Sequence, residues 1–292
     1  MHTARLVTSC FAIAASVIAC HAPVTTGPAP TAPPSYATLP EVPPAPPPTR
    51  SGQARVNDIT MHYATYGTGK PILLLHGGLG HSGYWSFQIP DLAKTHEVIV
   101  VDSRGHGRST RSSAPYSYAL MASDVVTFLD YLHVPKAAIV GWSDGGIIGL
   151  HIAMHHPARV ERLFAFGANF NVTGLKPDFD KDPTFAAYIE RAGRDYPRVS
   201  PTPTKFGEFV EALTTMWNSQ PSYRADDLRR ITAPTTIADG AHEELITREH
   251  TEELARLIPG ARLLILPDVS HFAPWQNPGQ FNRAVLEFVD AK

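Results

Sequence analysis

The sequence predicts an α/β domain with a mostly parallel sheet, helices on both faces and one inserted segment. The first observation is that short β-branched apolar runs alternate with stretches of helical periodicity between residues 71 and 166. Such alternation is typical of parallel strands joined by crossover helices. The second is size, because 292 residues of which 43% are hydrophobic can bury one large core. The third is a break in this rhythm at 169–230, where prolines interrupt two helical patches.

The first half of the domain is predicted to form a hairpin followed by strand–helix units. An Asn-Asp turn at 57–58 between two alternating runs predicts a hairpin over 54–63. Apolar residues recur at helical spacing over 118–132, which predicts an amphipathic helix. The other predicted elements are strands over 71–75, 97–101 and 160–166, a helix over 84–94, and a strand over 138–140 with the helix that follows it.

The second half begins with the insertion, which we expect to form a cap with helical patches at 184–194 and 206–218. After it come a strand over 233–238, a helix over 248–257, a strand over 261–266, a loop at 269–272 and a closing helix over 278–289. Aromatic residues of the insertion are candidates either for the wall of an acyl pocket or for the cap's own core: Phe179, Phe185, Tyr188, Phe206, Phe209, Trp217 and Tyr223.

The first nineteen residues are predicted to be a signal peptide, with an apolar run at 6–19 that is too short to span a bilayer. The run ends in Val-Ile-Ala-Cys at 17–20, which resembles the lipobox of bacterial lipoproteins. This resemblance implies cleavage before Cys20 and acylation of its thiol, so that the protein is exported and anchored in the cell envelope. The alternative is an ordinary secretory signal cut near Ala19 or Ala22. An outer-membrane location is expected if the source is Gram-negative.

Residues 20–50 are predicted to be the lipidated cysteine and a Pro-rich tether, and 51–292 the folded domain. The stretch 23–48 is rich in Pro, Ala and Thr, which favours a semi-extended spacer. The chain has two cysteines, Cys10 and Cys20, so the mature chain keeps at most one and can form no internal disulfide. A net charge of −2 without a basic stripe argues against a nucleic-acid partner.

The strongest candidate for chemistry is the stretch Gly-Trp-Ser-Asp-Gly at 141–145, which fits the pattern G-x-S-x-G. It lies between a predicted strand and a predicted helix. On so tight a turn the hydroxyl of Ser143 stands clear of the sheet, and the small flanking residues avoid clashes. The backbone N–H of Asp144 and the start of the helix dipole then point at the reacting centre. We therefore predict Ser143 as a nucleophile.

A nucleophilic serine needs a base, and the base needs an orienting acid. In an open α/β sheet, reactive groups collect outside the carboxyl ends of the strands. His271 follows the last predicted strand and is the predicted base. His242 is the alternative, because it neighbours the acidic stretch after the strand at 233–238.

Five motifs follow one another along the chain: His-Gly-Gly at 76–78, Asp-x-Arg-Gly-His-Gly-x-Ser at 102–109, G-x-S-x-G at 141–145, an acid after the next-to-last strand, and Ser-His-Phe at 270–272. In this order they resemble the α/β-hydrolase family over about residues 54–290. The family's Gly-x-x-Asp spacing, counted from Gly240, implies Glu243 as the triad acid. Asp239 and Glu244 are the other candidates. Glutamate in place of aspartate is a departure from the family pattern.

The resemblance also implies an oxyanion hole made by the N–H groups of Asp144 and Gly78, with Leu79 as the alternative to Gly78. The motif at 102–109 is expected to brace the sheet rather than to react. The string Gly-Trp-Ser-Asp-Gly-Gly at 141–146 is similar to that of biphenyl hydrolase-like (valacyclovir hydrolase-like) enzymes, which favour amino-acid esters. In that case the Asp144 carboxylate would bind an ammonium group. The other interpretation is an exposed acid at a helix N-terminus.

Together these features predict a serine hydrolase that cleaves an ester-type bond of a small molecule, with no cofactor and no metal. A serine nucleophile disfavours haloalkane dehalogenases and epoxide hydrolases, which need an aspartate there. Carbon–carbon bond hydrolysis, lactonase activity and cofactor-free perhydrolase activity stay open. A different class, a non-catalytic envelope lipoprotein that keeps the fold as a scaffold, is the remaining alternative.

Overall fold

The computed structural model describes residues 33–291, and its compact unit begins at Pro33. The predicted signal peptide, the lipid-bearing Cys20 and the first part of the tether lie outside the described residues. No helix among residues 33–291 combines the length and the apolar character that a membrane crossing requires.

An eight-stranded sheet forms the centre of the described chain, with the order β1-β2-β4-β3-β5-β6-β7-β8. The first two strands pair antiparallel, β2 lies antiparallel to β4, and all later neighbours are parallel. The strands are β1 (Arg50–Val56), β2 (Ile59–Tyr66), β3 (Lys70–Leu75), β4 (His96–Val101), β5 (Ala137–Trp142), β6 (Val160–Phe166), β7 (Thr235–Gly240) and β8 (Arg262–Leu266). The predicted α/β fold is confirmed.

The central strands are apolar on both faces, as expected for a parallel sheet that helices cover on both sides. Along β3, Leu73 and Leu75 belong to one core cluster, while Ile72 and Leu74 belong to the other. Because side chains alternate along a strand, each apolar strand contributes to both cores. The carboxyl ends of these buried strands are therefore held rigidly, and the loops that follow them have a fixed base.

The helices cover the two faces and the carboxyl edge of the sheet. They are α1 (Ile89–Leu92), α2 (Tyr118–Tyr131), α3 (Asp144–His155), α4 (Pro183–Val199), α5 (Phe206–Trp217), α6 (Ala225–Leu228), α7 (Arg248–Leu257), α8 (Ala273–Gln276) and α9 (Pro278–Val289). The closing helix has the predicted bounds. The predicted single helix over 84–94 is wrong, because a 3₁₀ turn at Ser82–Trp85 and the short α1 replace it. Pro90 lacks an N–H and its ring excludes a helical carbonyl four residues earlier, so it can stand only in the first turn of a helix.

The insertion at 169–230 follows β6 and precedes β7, and the described sheet takes no strand from it. It contains α4, α5 and α6. Asp182 begins α4 by accepting hydrogen bonds from the N–H groups of Thr184 and Phe185. Such a cap satisfies backbone donors that a helix start leaves free. The two long helices of the insertion thus stand where the predicted helical patches lie.

The Pro-rich stretch differs from the prediction, because its described part, 33–48, packs on the domain instead of forming a free tether. Leu39, Val42 and Ala45 contact one of the two cores. Arg191 of α4 donates hydrogen bonds to the Leu39 and Pro40 carbonyl oxygens at 2.9 and 2.7 Å. Polyproline backbone has no internal hydrogen bonds, so its carbonyl groups are free to accept from such side chains. Composition alone does not show this docking.

Candidate active site

Ser143 lies on a strained turn between β5 and α3, with φ 56° and ψ −123°. Its N–H donates to the Phe166 carbonyl at 2.8 Å, which ties the turn to the neighbouring strand. The flanking glycines are obligatory: a Cβ on Gly141 would lie 2.3 Å from the Gly145 oxygen, and a Cβ on Gly145 would lie 2.0 Å from the Leu75 oxygen. Strain of this kind persists only where the surrounding structure enforces it. The tight β-strand–α-helix junction enforces it here.

His271 lies in the loop after β8 and is buried. Its Nδ1 stands 3.0 Å from both carboxylate oxygens of Glu243. Trp142 donates its indole N–H to the His271 carbonyl at 2.8 Å, so the residue next to Ser143 also fixes the histidine backbone. Gly167, with φ +60°, leaves room for the imidazole, since a Cβ there would lie 2.8 Å from the ring. The contact with Glu243 places the proton of neutral His271 on Nδ1 and leaves Nε2 as the free base.

Glu243 lies in the loop after β7, and its Oε1 also accepts hydrogen bonds from the N–H groups of Leu245 and Ile246, at 2.8 and 3.2 Å. The other two acidic candidates lie elsewhere. Glu244 accepts from the His271 N–H at 2.8 Å and from the Ser270 hydroxyl at 3.0 Å. Glu244 therefore holds the histidine loop, while Glu243 faces the ring.

Asp239, the third candidate, lies at the end of β7 and does not contact the His271 ring by a hydrogen bond in the described chain. It accepts from the Thr251 hydroxyl at 2.7 Å and from the N–H of the adjacent Gly240 at 2.9 Å. His242 is exposed and stacks on Tyr36 with ring centroids 3.6 Å apart, so it does not compete for the role of base.

Burial controls the electrostatics of this group. It lowers the pKa of His271, because the charged imidazolium loses its hydration, although Glu244, Asp239 and Asp144 raise it. Burial likewise raises the pKa of Glu243, while its hydrogen bonds from the N–H groups of Leu245 and Ile246 act in the opposite direction. Burial therefore favours neutral His271 and neutral Glu243. When His271 takes a proton, the resulting ion pair with Glu243 is stabilised by the hydrogen bonds that the Glu243 carboxylate accepts.

Ser143 and His271 line the same cavity, but no hydrogen bond within 3.5 Å joins the Ser143 hydroxyl to His271 in the described structure. In unliganded active sites such a contact is often long and closes only when substrate binds. Of the three predicted catalytic residues, Glu243 and His271 are thus in hydrogen-bond contact, and Ser143 lines the same cavity as His271.

In the loop after β3, the carbonyl groups of Gly77 and Gly78 are held by hydrogen bonds, whereas the N–H groups of Gly78 and Leu79 have no acceptor within the described chain. His76 accepts the Ser103 N–H on Nε2 at 3.0 Å, so its Nδ1 carries the proton and donates to the Gly77 oxygen at 2.8 Å. Burial lowers the pKa of His76 to about 4, which keeps this tautomer neutral. Tyr188 of α4 donates to the Gly78 oxygen at 2.5 Å. A fixed carbonyl fixes the following N–H, so these two bonds orient the N–H groups of Gly78 and Leu79.

In the described chain neither the Gly78 N–H nor the Asp144 N–H has a protein acceptor. A Cβ on Gly78 would lie 2.5 Å from the Trp217 ring and 2.7 Å from the Asp144 carboxylate, so a side chain does not fit there. Free, oriented N–H groups beside a nucleophile are the requirement of an oxyanion hole. The structure is compatible with either Gly78 or Leu79 as partner of Asp144.

Asp144 is buried, with 7% of its surface exposed, so the interpretation as an exposed acid at a helix start is wrong. Its Oδ1 accepts from the Tyr118 hydroxyl at 2.7 Å, and its Oδ2 accepts from the Trp217 indole at 3.0 Å. Burial raises the pKa of this carboxyl, although both hydrogen bonds act against the rise. Sequence reasoning missed Tyr118 and Trp217 as its partners. The only signal in the sequence was that each is an aromatic residue with a polar group and belongs to a predicted helical segment.

The cavity above Ser143 holds about 710 Å³, part of it open to solvent, and its wall is mostly apolar and aromatic. Of the seven aromatic candidates of the insertion, four line it, whereas Phe206, Phe209 and Tyr223 pack into a core. No lysine or arginine is among the described lining residues. The apolar and aromatic lining comprises Leu79, Tyr118, Trp142, Leu175, Phe179, Phe185, Tyr188, Ile189, Trp217, Leu245, Ile246 and Phe272.

The motif at 102–109 has the structural role that we expected. Asp102 is fully buried and accepts hydrogen bonds from the N–H groups of Ser82 and Arg108 at 2.6 and 2.7 Å. Arg104 pairs with the equally buried Asp124 at 2.6 Å. These bonds connect loops on one side of the sheet and do not reach the cavity. Within residues 33–291, no cluster of three or more histidine, cysteine or acidic side chains is arranged to hold a metal ion.

Comparison with known proteins agrees with this geometry. The family described as alpha/beta hydrolase fold matches residues 70–205. A protein of Azorhizobium caulinodans named "Putative carbamate hydrolase RutD" is 31% identical over 256 residues, which cover 80% of this chain and 97% of that protein. Serine hydrolase BPHL of Homo sapiens is 26% identical over 256 residues, or 82% of this chain and 86% of that protein.

Among solved structures, one described as Est816, an N-acyl homoserine lactone degrading enzyme, superimposes with a TM-score of 0.70. It is 30% identical, and the match covers 81% of this chain and all of that structure.

Proposed function

The chain belongs to the α/β-hydrolase family, and from this premise we propose that it is a serine hydrolase that cleaves neutral esters or lactones through an acyl-enzyme. One observation supports the proposal above all others. Ser143, on its strained turn, and His271, held by Glu243 on Nδ1, line one apolar cavity. A nucleophile, a base and an orienting acid around one cavity are the requirements of acyl transfer.

In the proposed reaction, Ser143 Oγ attacks the carbonyl carbon while His271 Nε2 takes the hydroxyl proton. Glu243 stabilises the imidazolium that forms. The N–H groups of Asp144 and of Gly78 or Leu79 hold the oxyanion of the tetrahedral intermediate. As the intermediate collapses, His271 returns the proton to the leaving alkoxide. Water then attacks the acyl-enzyme by the same route and releases the acid and free Ser143.

The cavity wall supports a neutral substrate with an apolar acyl part. Aromatic and aliphatic side chains line most of the wall, and burial of an apolar chain against them contributes about 25 cal/mol per Å² removed from water. A substrate with a free carboxylate would lose its hydration here without gaining a cation, because none of the described lining residues is lysine or arginine. Lactones are included because a cyclic ester reacts by the same steps, and the similarity to an acyl homoserine lactone degrading enzyme supports testing them.

An amino-acid ester is the second candidate, and Asp144 favours it. Asp144 is the one carboxylate among the described lining residues. Both of its oxygens already accept hydrogen bonds from Tyr118 and Trp217, so an ammonium group would have to displace or share these donors. We therefore place neutral esters and lactones first.

The first experiment is labelling of the purified full chain with a fluorophosphonate, followed by mass spectrometry of the modified peptide. We expect the adduct on Ser143 and its loss in His271→Ala. Ser219→Ala, a change of an exposed serine in the insertion, is the matched control and should label like wild type. A folded protein that is neither labelled nor active on esters, lactones and amino-acid esters would favour the non-catalytic scaffold.

We also propose that the protein is exported and anchored through a lipid on Cys20, on the strength of the Val-Ile-Ala-Cys sequence at 17–20. Expression in a bacterial host followed by fractionation tests this proposal. Wild type should partition with membranes, and Cys20→Ala should lose the lipid mass from its N-terminus. Recovery of both proteins in the soluble fraction would contradict the anchor.

A further inference from the structure

The docked arm, residues 33–48, contacts the two loops that carry the proposed acid and the proposed base. The ring of Tyr36 stacks on His242, in the loop after β7, with ring centroids 3.6 Å apart. The Ser35 hydroxyl donates a hydrogen bond to the carbonyl oxygen of Asp268, in the loop after β8. The arm therefore connects the two loops from outside the cavity.

Gln276, the last residue of α8, joins the arm to the loop after β8 through its side-chain amide. The amide nitrogen lies 3.1 and 3.0 Å from the carbonyl oxygens of Tyr36 and Thr38, and 2.9 Å from the Ser270 hydroxyl. The amide oxygen accepts the Ser270 N–H at 2.7 Å. Because the oxygen faces a donor and the nitrogen faces carbonyl acceptors, the orientation of the amide is fixed. One side chain thus holds both the arm and Ser270.

Ser270 in turn connects Gln276 to His271. Its hydroxyl donates to one oxygen of Glu244 at 3.0 Å, and the other Glu244 oxygen accepts the backbone N–H of His271 at 2.8 Å. Ser270, Glu244 and His271 are buried, and hydrogen bonds among buried groups are stronger than those in water. The backbone of His271 is therefore held by a network that ends on the main chain of the arm.

The arm is also held by the cap, at Arg191 of α4. This side chain is 4% exposed and donates to the carbonyl oxygens of Leu39 and Pro40 at 2.9 and 2.7 Å. Its guanidinium lies over the ring of Trp275, the neighbour of Gln276, at 5.3 Å from the ring centroid. If the arm left, the buried guanidinium would lose both carbonyl acceptors, which is costly for a buried charge. The docked position is therefore supported by polar contacts with the cap as well as with α8.

We propose that the docked arm is a structural part of the active site, and that Gln276 is a positioning residue through which the arm holds the His271 loop. This inference rests on the proposed Ser143–His271–Glu243 chemistry. Neither the arm nor Gln276 is among the described residues that line the cavity. Their loss should therefore lower kcat and leave KM nearly unchanged, because the geometry of the base changes while the substrate's binding surface does not.

Gln276→Met in the full chain tests the positioning residue. Methionine keeps the length of the side chain and removes every hydrogen bond of the amide. We expect kcat to fall about tenfold with KM within about twofold of wild type, because a small displacement of the base weakens proton transfer. Fluorophosphonate labelling of Ser143 should slow by the same factor. Gln53→Met, a change of an exposed glutamine in β1, is the matched control and should behave as wild type. An unchanged kcat and labelling rate in Gln276→Met would overturn the proposal.

Val42→Asp tests the arm itself, at a half-buried position that packs against one of the two cores. A charge there loses hydration when the arm is docked, so the arm should leave the domain. Pro47→Asp adds the same charge at an exposed position of the arm and is the control. Val42→Asp should lower kcat as Gln276→Met does, and the double variant should lose no more than either single variant, because both break one connection. A double variant whose loss is the product of the two single losses would mean that Gln276 does not act through the arm.

Hydrogen–deuterium exchange reports the same connection without turnover. The N–H groups of Ser270 and His271 are hydrogen-bonded to side chains of the network. In Val42→Asp their exchange should become at least about threefold faster, since the network loses its support, whereas Pro47→Asp should match wild type. Faster exchange of the Ala37 amide in the arm without any change at Ser270 and His271 would contradict the proposal. A protein inactive on every substrate would disprove the proposed function, while these exchange rates would still show whether the arm holds the loop.

Discussion

The turn that carries Ser143 and the loop that carries Glu243 position their side chains by different means. Ser143 is placed by backbone alone: a strained φ of 56°, a main-chain hydrogen bond to β6, and glycines whose Cβ atoms would clash with backbone. Glu243 is placed by its neighbours, since its carboxylate accepts hydrogen bonds from two backbone N–H groups and contacts the His271 imidazole. The backbone turn at Ser143 tolerates no added side-chain atom at its glycines. The hydrogen-bonded position of Glu243 depends instead on the charge and protonation state of the side chains around it.

The largest expected effect comes from Ser143→Ala. It removes the attacking atom and leaves the turn intact, so turnover should fall by at least about 10⁴-fold. The melting temperature should change little, because the Ser143 hydroxyl makes no hydrogen bond with the described protein. Steady-state kinetics and thermal unfolding of the same preparation measure both effects. Ester hydrolysis at an undiminished rate would show that the turn does not carry the nucleophile.

Glu243→Gln is the corresponding change in the loop. It keeps the shape of the side chain but removes the charge that stabilises imidazolium, and kcat should fall by about 10³- to 10⁴-fold with a smaller change in KM. Glu244→Gln is the matched control. It alters only the contacts with the Ser270 hydroxyl and the His271 N–H, so we expect a loss of about tenfold, the cost of a weakened hydrogen bond. A larger loss in Glu244→Gln than in Glu243→Gln would exchange their roles.

Gly145→Ala tests whether the tight turn around Ser143 tolerates a side chain. The new Cβ would lie 2.0 Å from the Leu75 oxygen, which belongs to a buried strand and cannot move away. The free energy of unfolding should fall by about 3 kcal/mol or more, as for other overpacked buried sites. Gly207→Ala in α5 is the control, because a Cβ there has no neighbour within 4 Å, and stability should change by less than about 1 kcal/mol. Equal melting temperatures for the two variants would mean that the turn is more compliant than its geometry indicates.

The smallest expected effect is on the pH dependence of the free energy of unfolding, and it comes from Asp239, at the end of β7 before the Glu243 loop. Burial raises the pKa of Asp239 above its unfolded value of about 3.9, so unfolding releases a proton at intermediate pH and stability falls as pH rises. Asp239→Asn cannot release this proton. The stability of wild type relative to Asp239→Asn should therefore decrease between pH 5 and 8, by at most about 1.4 kcal/mol per pH unit. Denaturant unfolding across this range measures the slope, and parallel curves would mean that Asp239 is ionised at all these pH values.

The same difference explains what could be predicted from the sequence. A backbone device requires particular residues at fixed spacing, so Ser143 and its strand–helix context were recognisable, and so were most strands. The acid was ambiguous, because Asp239, Glu243 and Glu244 stand within six positions and only the fold shows which one faces His271.

The features that the sequence did not indicate are long-range side-chain contacts. Trp217 and Tyr118 are far from Asp144 in the chain, and their hydrogen bonds hold its carboxylate in a buried position, which excludes the exposed acid among the two interpretations that the sequence left open. The docking of residues 33–48 depends in the same way on Arg191 and on three small apolar contacts. Composition suggested a free spacer there, because a Pro-rich stretch has the same composition whether it is docked or free.

The absence of lysine and arginine from the described cavity wall has a consequence for what happens after the reaction. Hydrolysis converts a neutral ester into an acid that ionises at neutral pH. A surface that suits the uncharged reactant offers its anionic product no lysine or arginine as counter-ion among the described lining residues, and the buried carboxyl of Asp144 belongs to the same wall. The product is thus the poorer ligand of the two. Departure of the anion to solvent is favourable, and each turnover on the proposed substrates clears the cavity for the next.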